Sequence, residues 1–156
     1  MLSRRLISAS SLNIIAASSL AVFFTFDRLL KQVAATLPSG KAIEAIPGFL
    51  SFGFTTNYRI ALSLPLEGAW LNYVISLIVL GVIYKLIKSI NTGGRAGEIL
   101  AWSAILLGAS SNLYDRFRYG YVIDYLEISY LTALNIADLL ISGGAIYLII
   151  KGFRKK

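Results

Sequence analysis

Four apolar runs, each interrupted by few charges, dominate the chain: roughly residues 7–30, 69–87, 99–114 and 137–152. Runs of this length match the ~20 residues a helix needs to cross a bilayer, so four transmembrane helices are predicted. The third and fourth are short. At ~1.5 Å rise per residue, a 16-residue helix covers only ~24 Å, so these two should stand nearly upright or end in a water-accessible pocket. Residues 42–64 break the pattern. Pro47, Gly48, Gly53 and Pro65 punctuate loosely alternating Phe, Thr, Ile and Leu, which predicts short strands in a small β platform between the first and second helices. No internal repeat divides the chain, so residues 1–156 are expected to form one polytopic domain, membrane-embedded and mainly α.

Composition agrees with this pattern and narrows the chemistry. The chain is 56% hydrophobic and 15% charged, and it contains neither histidine nor cysteine. Disulfides, Cys/His or Ser/His/Asp catalysis and the usual zinc site are thereby excluded. Catalysis must come from carboxylate, hydroxyl, amine or amide groups, and no metal or cofactor is called for.

Charge orients the helices. Arg4, Arg5, Lys85, Lys88, Arg95, Lys151, Arg154, Lys155 and Lys156 fall on one side, where Glu98 is the one acid. The other side is close to neutral. By the positive-inside rule both termini are cytoplasmic, and residues 31–68 and 115–136 are extracytoplasmic. Basic residues at span ends mark topology, and no nucleic-acid surface is expected. A cleaved secretory signal is the lesser alternative for the first run, because its removal would leave three spans with termini on opposite sides. Trp70, Tyr73 and Tyr84 have the character of interfacial anchors, and Ser142, Gly143 and Gly144 that of a close helix-packing site.

Several polar residues fall where a membrane chain tolerates them least. Asp27 and Lys31, four apart at the outer end of the first helix, share a face and suit a helix-end ion pair. Asn112, Asp115 and Arg116 close the third helix. Asn135 and Asp138 repeat the three-residue spacing at the start of the fourth, where helix capping explains a carboxylate as well as chemistry does. Asp124 is flanked by Val122, Ile123, Tyr125 and Leu126, bulk that should bury it and favour its protonated form. Glu127 reads instead as a solvated loop acid. Two carboxylates close together, Asp124 and Asp138, can share one proton and divide the roles of base and acid.

The order of these motifs resembles the lipoprotein signal peptidases (signal peptidase II) along nearly the whole chain. Asp27-Arg-Leu-Leu-Lys31 is similar to the family's D-x-x-x-K, and Asn57-Tyr-Arg-Ile-Ala61 to its N-x-G-x-A. Gly108-Ala-Ser-Ser-Asn112-Leu-Tyr-Asp115-Arg116 resembles G-A-x-G-N-x-x-D-R, Gly120-Tyr-Val122-Ile-Asp124 resembles G-x-V-x-D, and Asn135-Ile-Ala137-Asp138 resembles N-x-A-D. The resemblance implies an aspartic endopeptidase in the bacterial cytoplasmic membrane, its active site at the extracytoplasmic face. It implies Asp124 and Asp138 as the catalytic pair, with Asn57, Asn112, Arg116, Asn135, Asp115, Asp27 and Lys31 supporting the site or binding substrate. The implied partners are membrane lipids and lipoprotein precursors carrying diacylglycerol on a cysteine, cut on that cysteine's N-terminal side by a monomer. Two positions depart from the family pattern: Arg59 stands in place of glycine, and Ser111 replaces the glycine before Asn112. Both add bulk, and an arginine near two carboxylates would oppose proton sharing unless it points to water or lipid phosphate. A proton- or cation-coupled transporter, which would place acids near mid-span, and a lipoprotein-binding member without cleavage are the alternatives.

Overall fold

The computed structural model describes residues 9–38, 41–58 and 69–154, so Arg59 lies outside the described residues. Four helices and one four-stranded sheet follow in the order α1 (Ala9–Ala35), β1 (Ile43–Ile46), β2 (Leu50–Asn57), α2 (Ala69–Asn91), α3 (Ala96–Tyr119), β3 (Val122–Ile128), β4 (Thr132–Leu134) and α4 (Ile136–Phe153). The fold is mainly helical with a small antiparallel sheet. Helix α3 is the hub, packing against α1, α2 and α4.

Helices α2 and α4 are long and apolar enough to cross a membrane. Their large apolar side chains face outward: Leu77 and Leu80 on α2 and Ile146 and Ile149 on α4 are all more than half exposed. A water-soluble domain hides such groups; here they are displayed, as a lipid solvent requires. Between helices, small residues set the spacing. A Cβ on Gly108 would run into the carbonyl oxygen of Ala137, and one on Gly144 would lie 2.6 Å from that of Ala101, so α3 and α4 touch backbone to backbone. Gly143, expected to share this role, would meet nothing within 4 Å.

Helix α3 runs to Tyr119, five residues past the end of the apolar run that predicts it. Asn112, Asp115 and Arg116 end that run yet continue the helix, because their polar groups find partners on neighbouring elements. Gly120 then stops it with φ 84°, its N–H bonding the carbonyl of Arg116 at 3.0 Å, the left-handed cap that glycine adopts without steric cost.

The sheet corrects two expectations. Strands do form between α1 and α2, but β1 and β2 make only half of an antiparallel sheet of order β1-β2-β3-β4; the rest comes from the segment between α3 and α4. Asp124 therefore sits on an inner strand opposite Thr55, and Asn57 opposite Val122. Glu127 is likewise on β3, not on a loop, and accepts a 2.7 Å hydrogen bond from the Thr55 hydroxyl. Residues 122–125 are all buried, with Ile123 and Tyr125 packing on Ala34 of α1. That contact fastens the sheet to the end of the helices.

Candidate active site

Three strand and helix ends converge here. Asn57 ends β2, Asp124 lies on β3, and Asn135 is the N-cap of α4. The Asn135 carboxamide oxygen accepts from the Asp138 backbone N–H at 2.9 Å, and the Asp138 Oδ2 accepts from the Asn135 N–H at 3.2 Å. This reciprocal capping box fixes both side chains at the first turn of α4. The other half of Asn135 reaches across to the sheet: its Nδ2 donates to Asp124 Oδ1 at 2.6 Å and to the carbonyl of Ile123 at 3.3 Å. One residue thus joins the two carboxylates, Asn135 holding Asp124 with its side chain and the Asp138 carboxylate with its backbone N–H, so capping and site architecture are the same set of bonds.

Each acid has a further amide donor. Asn57 Nδ2 donates to Asp124 Oδ2 at 2.9 Å, and Asn112 Nδ2 donates to Asp138 Oδ1 at 2.8 Å. Burial, and after it the negative charge of Asp138, push the Asp124 carboxyl up to about 6, against the bonds from Asn57 and Asn135. A carboxyl in that range can carry a proton near neutral pH.

Behind this pair lies a second polar cluster. Lys31, fully buried, bonds Asp115 at 2.8 Å, Asp27 at 3.3 Å and the Asn112 oxygen at 2.8 Å. Arg28 closes on Asp115 at 2.5 Å, and its guanidinium lies 4.6 Å from the ring centroid of Tyr114. Asp27 accepts from the Ser111 hydroxyl at 2.6 Å, the Tyr125 hydroxyl at 2.9 Å and the Ala137 N–H at 3.2 Å. Burial and the nearby Asp27 charge raise the Tyr125 phenol above its ordinary value, so it remains a donor. Through Asn112, whose oxygen faces Lys31 and whose nitrogen faces Asp138, the two clusters are one network.

All nine residues singled out from sequence come together. Arg116 donates to the Tyr58 carbonyl at 3.4 Å, and Asp124, Asp138 and Asp115 lie within its electrostatic reach. Ser111 does add a side chain beside the site, as its departure from the motif predicts, but the hydroxyl is absorbed as a donor to Asp27. Two members were missed. Arg28 sits at a variable position of D-x-x-x-K, which the motif leaves without a role. Tyr125 counted only as bulk, and strand alternation, which turns it away from Asp124 toward α1, is the signal that could have found it.

Comparison with known proteins gives one answer. The family model described as signal peptidase (SPase) II matches residues 19–154. The lipoprotein signal peptidase of Clostridium novyi (strain NT) is 39% identical over 134 residues, spanning 80% of this chain and 87% of its own. That of Shewanella amazonensis is 31% identical over 141 residues, covering 85% and 83%. Among solved structures, a bacterial membrane enzyme determined by the in meso method at 2.3 Å superposes with TM-score 0.76 at 26% identity, over 91% of this chain and 87% of that one.

Proposed function

Because this chain belongs to the signal peptidase II family, we propose that it cuts diacylglyceryl-modified lipoprotein precursors on the N-terminal side of the lipid-modified cysteine, with Asp124 and Asp138 as its catalytic pair. The observation that carries this reading is the Asn135 bridge, which holds both carboxylates in one hydrogen-bonded unit. Asp124 holds the shared proton and Asp138, at the N-terminal end of α4, is ionised. Asp138 takes a proton from water, the hydroxide adds to the scissile carbonyl carbon, and Asp124 gives its proton to the carbonyl oxygen. The tetrahedral intermediate then collapses: the amide nitrogen takes the proton from Asp138, the C–N bond breaks, and a hydroxyl proton returns to Asp124. Asn57, Asn112, Asn135 and Arg116 orient the acids and the peptide backbone as fixed dipoles and charge. Asp27, Lys31 and Asp115 hold that frame.

The placement follows from the same features. The chain is one polytopic domain whose four helices all span the membrane, with both termini cytoplasmic and the sheet and acid pair at the outer face of the bacterial cytoplasmic membrane. A lipid-anchored peptide can then enter sideways from the bilayer. Acids at helix ends, on one side of the molecule, also speak against a transporter, whose carriers belong near mid-span.

The deciding experiment replaces Asp124 or Asp138 with Asn and follows cleavage of a lipid-modified precursor in detergent, with the thermal midpoint as a control for folding. Turnover should fall by roughly 10³-fold or more in either variant. Unimpaired turnover in either would remove the assignment.

A further inference from the structure

At the end of the helices opposite the acids, ~20 Å along α4 from Asp138, lies a cavity of about 270 Å³ lined by Arg95, Tyr147, Ile150, Lys151 and Arg154. Lys151 is ion-paired with Glu98, so the lining retains an excess of positive charge from Arg95 and Arg154. Arg95 is also the N-cap of α3, where the helix dipole adds to the attraction for an anion. A second cavity of about 280 Å³ adjoins it through Tyr147 and is almost wholly apolar, its walls including Leu20, Leu100, Ala104, Gly143 and Gly144. The end of the Tyr147 ring lies over Gly97, where the absence of a Cβ leaves room for its hydroxyl at the junction of the two cavities. A cationic cup thus opens into an apolar groove running along the helices, the order of charge and grease found in a phospholipid.

We propose that this composite site binds one anionic phospholipid, its phosphate in the cup of Arg95 and Arg154 and an acyl chain in the groove beside Gly143. Nothing in the catalytic reading assigns it; it rests only on the helices lying in a bilayer. The test titrates the delipidated full-length protein in detergent with dioleoylphosphatidylglycerol, dioleoylphosphatidylcholine and inorganic phosphate, reading bound species by native mass spectrometry. Phosphatidylglycerol should bind at least about ten-fold tighter than phosphatidylcholine. The double substitution Arg95→Gln/Arg154→Gln should weaken it about thirty-fold, at roughly five-fold for each cation near an anionic lipid. Gly143→Leu, whose Cβ meets open space, should fill the groove and weaken phosphatidylglycerol while leaving the charges in place. Equal binding of the two lipids, inorganic phosphate binding as tightly as phosphatidylglycerol, or unchanged affinity in either variant would overturn the proposal. Since no readout involves peptide cleavage, failure here is separate from failure of the aspartate assignment.

Discussion

Two pairs of aspartates lie at the same end of the molecule, Asp27, Asp115 and Asp124 buried and Asp138 half-buried, and what surrounds them differs. Asp27 and Asp115 face Lys31 and Arg28, two charges against two, within 3.3 Å. Asp124 and Asp138 are held by the amides of Asn57, Asn135 and Asn112, with the Arg116 charge also within electrostatic reach of both. Asp124 is as buried as Asp27 and Asp115, so burial alone does not separate an ion-paired acid from one proposed to react. Cations bond the first pair directly and lock it, whereas neutral amides are the direct donors to the second pair and the charges of Lys31 and Arg116 act on it from further off, so part of its mutual repulsion is left for a shared proton to relieve.

If that contrast holds, breaking the cation-held pair should damage folding above all. Asp115→Asn leaves the buried Lys31 and the half-buried Arg28 with one carboxylate fewer, and should cost ~3–5 kcal/mol of stability, read as a lowered thermal or denaturant midpoint. Turnover per folded molecule should suffer far less than in Asp124→Asn. Comparable losses of turnover would erase the distinction between the pairs.

The amide-held pair should fail in the opposite way. Asn135→Ala removes the bridge to Asp124 together with the α4 cap, and kcat should drop by roughly 10²–10³-fold. The stability lost with the cap is only ~1 kcal/mol. A kcat within a few-fold of the parent would show that the bridge does not set the geometry.

Titration offers a further test of the amide-held pair. Asp124 binds its proton more tightly in the folded chain, at about 6, than at the ordinary 3.8. Its contribution is full below about pH 3.8 and is lost as pH rises through about 6, a decline of ~3 kcal/mol. Thermal midpoints in detergent between pH 4 and 7 should trace that decline, and Asp124→Asn, which is neutral throughout, should flatten this component. A variant curve parallel to that of the parent would exclude Asp124 as the titrating group.

The smallest effect belongs to Ser111. Ser111→Ala removes one of the donors to Asp27 while Lys31 and Tyr125 remain, so the loss should be about 1 kcal/mol with cleavage nearly unchanged. A large drop in turnover would instead tie the cation-held pair directly to the chemistry.

Local pattern was enough to find the helices, because apolar runs of spanning length are a property of consecutive residues. It was also enough to single out Asp124, whose neighbours guarantee burial whatever the strand packs against, and Asn135 with Asp138, whose three-residue spacing is that of a capping box. What it could not supply was partnership. The length of α3 past the apolar run depends on Lys31 of α1 and Asp138 of α4 meeting Asn112 and Asp115. Strand β3 exists by pairing with β2, some 65 positions earlier in the chain. The bond from Tyr125 to Asp27 crosses 98 positions. Hydropathy is written residue by residue, so the sequence alone determined which segments avoid water and which acids that environment would penalise. Which of those acids would meet a cation and which an amide was decided only when the helices and sheet closed on one another, since a hydrogen bond acts over about 3 Å of space and takes no account of distance along the chain.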